Sequence, residues 1–154
     1  MRFNFQAAAP GATKAMMGLE SYLAEQSKTE DGVDKPLIEL VKIRVSQINR
    51  CAFCLDMHTK DARALGETEQ RIYALNAWPE APFFSDRERA ALAWAEATTR
   101  LSTGDVDDAV YQQARQHFSE AQLVNLTLAI ATINAWNRFA VSFQPPVGDY
   151  QSPY

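Results

Sequence analysis

Pro36-Leu37-Ile38-Glu39-Leu40-Val41-Lys42-Ile43-Arg44-Val45-Ser46-Gln47-Ile48-Asn49 is the stretch whose pattern decides the fold. Leu37, Leu40, Val41, Val45 and Ile48 recur at helical spacing, and Pro36 suits a first helical position, where its missing N–H leaves nothing unpaired. Asn49 tolerates the backbone geometry at which helices end. Apolar residues cover most of the circumference, so this helix is expected to be deeply buried. Glu39, Lys42 and Ser46 form a narrow polar strip, which is either a water-facing edge or the lining of a site. Spacing alone leaves both readings open.

The same period extends outward in both directions. Upstream, Met16, Leu19, Tyr22 and Leu23 mark a helix from about Ala12 to Glu25, which the polar run Gln26 to Asp34 ends. Downstream, a helix is expected from near Arg50 to Leu65, closed by Gly66, with Thr68 capping a short one after it. Trp78-Pro79-Glu80-Ala81-Pro82 reads as a rigid connector, because neither proline can continue a helix. Ser85-Asp86-Arg87-Glu88 and Ser119-Glu120-Ala121-Gln122 are capping boxes, the first opening a helix to Leu101 and the second opening one to about Val141. Between them Thr103-Gly104-Asp105 is expected to cap another helix. Pro145-Pro146 then releases an extended tail. No alternating run demands a strand, so the fold class is all-α: a compact bundle of about seven helices forming one domain over 1–154.

Composition excludes several functions. Fifteen Lys and Arg against nineteen Asp and Glu give a net charge of −4, which offers nothing to nucleic acid or to anionic lipid. The first residues lack a secretory h-region, and no stretch approaches the roughly 18 apolar residues of a membrane span, so a cytoplasmic protein is expected. The 154 residues contain two cysteines, separated by only two residues, which suits redox or metal chemistry in a reducing compartment better than a stabilising framework.

Those cysteines carry the chemistry. At 100° per residue Cys51, Cys54 and His58 fall within about 60° of arc, so two sulfurs and an imidazole converge on one face. Unpaired N–H groups and the helix dipole at the start of this helix favour thiolate over thiol. A thiolate can attack a peroxide oxygen to give a sulfenic acid, and the neighbouring thiol then condenses with it to a disulfide. His58, one turn beyond Cys54, suits the role of proton acceptor. Position at the helix start slightly favours Cys51 as the attacking residue.

Glu39, eleven residues, Cys51-Ala52-Phe53-Cys54, three residues and His58 together resemble the signature of the alkylhydroperoxidase D branch of the carboxymuconolactone decarboxylase-like superfamily. The likeness extends through Arg44 to Asn49, His58 to Arg63, Glu88 to Leu101 and Asn134 to Arg138, so a redox core of about 36–141 is covered, with a tail of 142–154. It implies an all-helical homo-oligomer, a trimer or hexamer, that reduces organic hydroperoxides without metal or organic cofactor. The likeness implies electrons from a dithiol donor and suggests one that is dihydrolipoamide-like, while a thioredoxin-like protein or a small thiol is equally compatible with an exposed dithiol. By the resemblance Cys54 is peroxidatic and Cys51 resolving, and Glu39 draws the proton away through His58 and a bound water. The family's enzymes carry a second histidine between the cysteines where this chain has Phe53, which implies a simpler relay.

Other readings of the same residues are a redox sensor, a structural oligomer, or a zinc site built from Cys51, Cys54, His58 and Glu39. Glu39 alone can also pair with Lys42 on the surface. His117 suits a helix C-terminus rather than the site.

Overall fold

The computed structural model describes residues 1–154. Eight α-helices and one 3-10 turn form, with no strand: α1 Phe5–Ala8, α2 Pro10–Gln26, α3 Lys35–Ile48, α4 Ala52–Ala64, α5 Glu69–Ala74, the 3-10 turn Leu75–Ala77, α6 Asp86–Thr99, α7 Asp108–His117 and α8 Glu120–Phe143. The helix beyond the expected seven is α1. Asn4 caps its single turn, accepting from Ala7 N at 3.1 Å, and Phe5 stacks on Phe139 and Phe143 of α8. Tertiary stacking makes that turn, which is why helical periodicity does not announce it.

The hub is α3, which packs against α4, α6 and α8. Asp34 caps it, accepting from Leu37 N at 3.3 Å, and Glu39 through Ser46 are all buried. Leu37, Val41 and Val45 enter one apolar cluster with Ala91 and Ala95 of α6 and Leu126, Ile130 and Ile133 of α8. Leu40 and Ile43, on the other flank, join Leu75, Phe84 and Leu92 in a second cluster. A helix apolar around most of its girth is thereby used on both sides.

Both capping boxes form, with Glu88 N on Ser85 Oγ at 3.3 Å and Gln122 N on Ser119 Oγ at 3.1 Å. Two helix caps differ from expectation. The cap of α7 is Asp107, accepting from Ala109 N at 2.8 Å, in place of the Thr103-Gly104-Asp105 run, which stays in a loop. Asn49 keeps right-handed helical geometry and Arg50 takes the left-handed turn at φ 56°, so α4 starts at Ala52 with Cys51 as its cap. Asn49 is instead spent on side-chain bonds to Asn134 at 2.9 Å and Asn137 at 2.8 Å on α8. No helix is long and apolar enough to cross a membrane.

Beyond α8, Gln144 at φ 53° stops the helix. The tail then turns at Gly148, whose φ of 112° suits glycine, and folds back on α4, where Lys60 Nζ donates to the carbonyls of Gly148 at 3.1 Å and Tyr150 at 3.0 Å.

Candidate active site

The break between α3 and α4 puts Cys51 at the helix cap and Cys54 in its first turn. Cys51 Sγ accepts from Cys54 N at 3.3 Å, and the two sulfurs form a disulfide with Cα atoms 5.4 Å apart. Each cysteine is only 1% exposed, enclosed by the α3–α6–α8 cluster with Phe53, Trp94 and Trp136 at its margin. The expected exposed dithiol is therefore corrected to a buried one. Packing of α4 onto α3 and α8, which helical periodicity does not record, covers it.

His58 lies one turn further along α4, and its Nδ1 sits 2.7 Å from Glu39 Oε2 of α3, both residues being buried. Burial pushes the Glu39 carboxyl up, but the His58 hydrogen bond, its charge and the nearby Lys42 and Lys35 together outweigh burial and hold it below the usual carboxylate range. An ionised Glu39 can only accept, so the ring nitrogen facing it carries the N–H. In the neutral ring Nε2 is then the basic nitrogen, oriented by a carboxylate behind it. Lys42 does not neutralise Glu39 directly, since its Nζ pairs with Glu20 of α2 at 3.0 Å, and Glu20 also accepts from Trp136 Nε1 at 3.0 Å. The polar strip of α3 thus lines a buried site.

Two residues absent from the sequence-based set also reach it. Asp61, one turn past His58 and buried, brings a carboxylate oxygen within 4.8 Å of ligand atoms of both Glu39 and His58. Its spacing from His58 was a usable signal, but an acidic residue on a charged stretch of helix reads as solvated. Tyr150, 89 positions away, donates its hydroxyl to Asp61 Oδ1 at 2.9 Å and Oδ2 at 3.1 Å. No local pattern could have found it. A cavity of about 610 Å³ between α2, α3 and α8 reaches Glu39 and Lys42 and is bounded by Met17, Ile38 and the terminal Tyr154.

The four donors of the zinc reading do not converge. The sulfurs are bonded to one another, and the carboxylate that joins Glu39 and His58 belongs to Asp61. His117 ends α7 and takes no part in the site.

A second buried polar group on α3 is built differently. Arg44 donates to Glu96 at 2.7 Å, Asn76 at 2.7 Å and Gln47 at 3.0 Å, while Glu96 also accepts from Trp78 Nε1 at 2.8 Å.

A model of the carboxymuconolactone decarboxylase family matches residues 10–97, more than half of the chain, and includes Glu39, both cysteines, His58 and Asp61. The chain belongs to the carboxymuconolactone decarboxylase family. Among its relatives, the uncharacterized protein YdfG of Bacillus subtilis is 46% identical over 141 residues, 92% of each chain. A crystal structure from Agrobacterium tumefaciens, of a protein of unknown function regarded as a candidate AhpD antioxidant defence protein, is 40% identical. It covers 97% of this chain and 99% of its own at a TM-score of 0.89. These neighbours bear out the alkylhydroperoxidase D-like, all-helical reading. The debrominase Bmp8 shares the fold at a TM-score of 0.80 over 94% of this chain and 75% of its own, at 19% identity. Family membership therefore fixes the frame and not the reaction.

Proposed function

We propose that this protein is a thiol-dependent peroxidase of the alkylhydroperoxidase D type, reducing organic hydroperoxides through the Cys51–Cys54 pair. The observation that carries the reading is the Glu39-oriented imidazole of His58, one helical turn from a buried disulfide at the start of the same helix. In the reduced chain His58 Nε2 takes the Cys54 proton, and the thiolate attacks the outer peroxide oxygen. The O–O bond breaks, the alkoxide leaves as alcohol with the proton returned by His58, and Cys54 becomes a sulfenic acid. Cys51 sulfur then displaces its oxygen as water, forming the disulfide. A dithiol donor restores both thiols by exchange, so its two electrons and two protons balance the alcohol and water formed.

Burial of both sulfurs favours a slim, flexible arm such as a dihydrolipoamide over a broad thioredoxin-like face as that donor. The cycle suits a reducing compartment such as the cytoplasm. Assembly as a homo-trimer or hexamer belongs to the same proposal, supported by an apolar groove of about 490 Å³ along Trp94, Tyr111, Leu123, Val124 and Leu128, where Val124 is 68% exposed. A second reading, a redox sensor, draws on the same burial, because a disulfide shut away from donors is reduced slowly. Steady-state hydroperoxide consumption with excess dihydrolipoamide separates the two. Many turnovers per subunit, lost in Cys54→Ser, support the peroxidase; one oxidation per subunit supports the sensor.

A further inference from the structure

The C-terminal segment is fastened at three points, and each lies at the edge of the site. Lys60 holds the carbonyls of Gly148 and Tyr150, Tyr150 hydroxyl holds Asp61, and Lys35 Nζ stands 3.4 Å above the Tyr154 ring. A tail needed only to cover apolar surface has no reason to engage a buried carboxylate on both of its oxygens.

Asp61 follows His58 by three positions on α4, so their side chains are neighbours on one helix face. It is 6% exposed, and the Tyr150 hydroxyl is its hydrogen-bond donor on both oxygens. A buried carboxylate deprived of its donor recruits the nearest proton. Here the neighbouring proton-bearing group is the His58 imidazole, since ligand atoms of Asp61, His58 and Glu39 lie within 4.8 Å of one another.

We propose that Tyr150 is a positioning residue of this site: by occupying both Asp61 oxygens it keeps that carboxylate off His58, reserving the imidazole for Glu39, so that the C-terminal segment completes the site. Its purpose rests on the peroxidase reading, but its geometry does not. Burial, then the Asp61 hydrogen bond and charge, then Tyr154 and Glu39 all push the Tyr150 hydroxyl up from its ordinary value, so it remains a donor across the working pH range. The charged and titratable groups around the pair are Glu39, Lys42 and Lys35 of α3, Asp61 and Lys60 of α4, Glu20 of α2 through Lys42, and Tyr150 and Tyr154 of the tail.

The chain has two histidines, His58 and His117, so ring resonances in a proton NMR titration are readily assigned, with His117 as the internal reference. The disulfide form of the full chain is the sample, because no thiol then competes for the ring. In Tyr150→Phe the pH midpoint of the His58 resonance rises by about one unit as the freed carboxylate turns toward the imidazole, while His117 stays put. In an Asp61→Asn background the same Tyr150→Phe change moves nothing, since no carboxylate is left to release. An unmoved or lowered His58 midpoint in Tyr150→Phe, at an unchanged melting temperature, overturns the proposal, as does an equal rise in the Asp61→Asn background. Hydroperoxide turnover of Tyr150→Phe is read in parallel and falls about tenfold, because an imidazole drawn to a second carboxylate holds its proton and is a poorer acceptor. If the unaltered chain turns over no peroxide while the NMR shift appears, the peroxidase reading fails and the role of Tyr150 stands.

Discussion

Two buried polar groups hang from α3 five residues apart, and they have opposite characters. Arg44 is held on three sides: a carboxylate and two amides meet its guanidinium, and an indole N–H also donates to Glu96. Nothing in that set changes protonation near neutral pH, so it cross-links α3, α6 and the 3-10 turn. Glu39 and His58 share one strong bond, with a second carboxylate nearby and the redox sulfurs one turn away on α4. A group with a proton to give and a basic nitrogen left over is equipped for chemistry, whereas a closed network is architecture.

The sharpest way to break this contrast is by substitution on each side. Glu39→Gln, whose amide oxygen can still accept from His58 Nδ1, is expected to lower kcat/KM for a hydroperoxide by about a hundredfold or more while the melting temperature stays within a few degrees. Steady-state kinetics beside a thermal melt checks both halves. Arg44→Ala should behave in reverse, costing about 2 kcal/mol of stability because Glu96, Asn76 and Gln47 all lose their shared donor while Glu96 keeps only Arg100 and Trp78, with activity per folded molecule little changed. Urea titration gives the first number. If Arg44→Ala instead disables a fully folded enzyme, the division between the two groups is wrong.

Acid sharpens the comparison further. Burial raises the Glu96 carboxyl, but the Trp78 and Arg44 hydrogen bonds with the charges of Arg44 and Arg100 outweigh it, so its folded value lies below the ordinary 4.5. Glu39 is lowered in the same sense. Carboxyls depressed on folding add stability that is fully present above their unfolded value and is lost as pH falls through the folded one. Stability should therefore be level from neutral pH down to about 4.5 and decline below it, and Glu96→Gln should flatten that decline. Denaturant melts across this range decide the point.

The smallest effect concerns what was legible locally. Ser119→Ala should cost about 1 kcal/mol, read by urea titration, because its capping box is a self-contained device in four consecutive residues. Such devices could be read from the chain at Ser85, Ser119, Thr68 and Gly66 for that reason. The cap of α7 could not, since Asp105, Asp107 and Asp108 offer neighbouring carboxylates of equal capping chemistry, and Asp107 is the one that takes the bond. The pairing of Cys51 with Cys54 and the approach of Glu39 to His58 were legible from spacing and family likeness. What spacing could not say was that Lys42 would leave Glu39 for Glu20, 22 positions away, or that the sulfurs would be shut in. Asp61 and Tyr150 escaped because their meaning lies in a contact across 89 residues, made by a tail that periodicity describes only as extended.

The most direct test mixes the reduced chain with one equivalent of an organic hydroperoxide and follows the intact mass with time. The account predicts loss of two hydrogens per subunit as the Cys51–Cys54 disulfide closes, at least tenfold slower in Glu39→Gln. Thiols that survive excess hydroperoxide, or a disulfide that closes at the same rate without the Glu39 carboxylate, would contradict it.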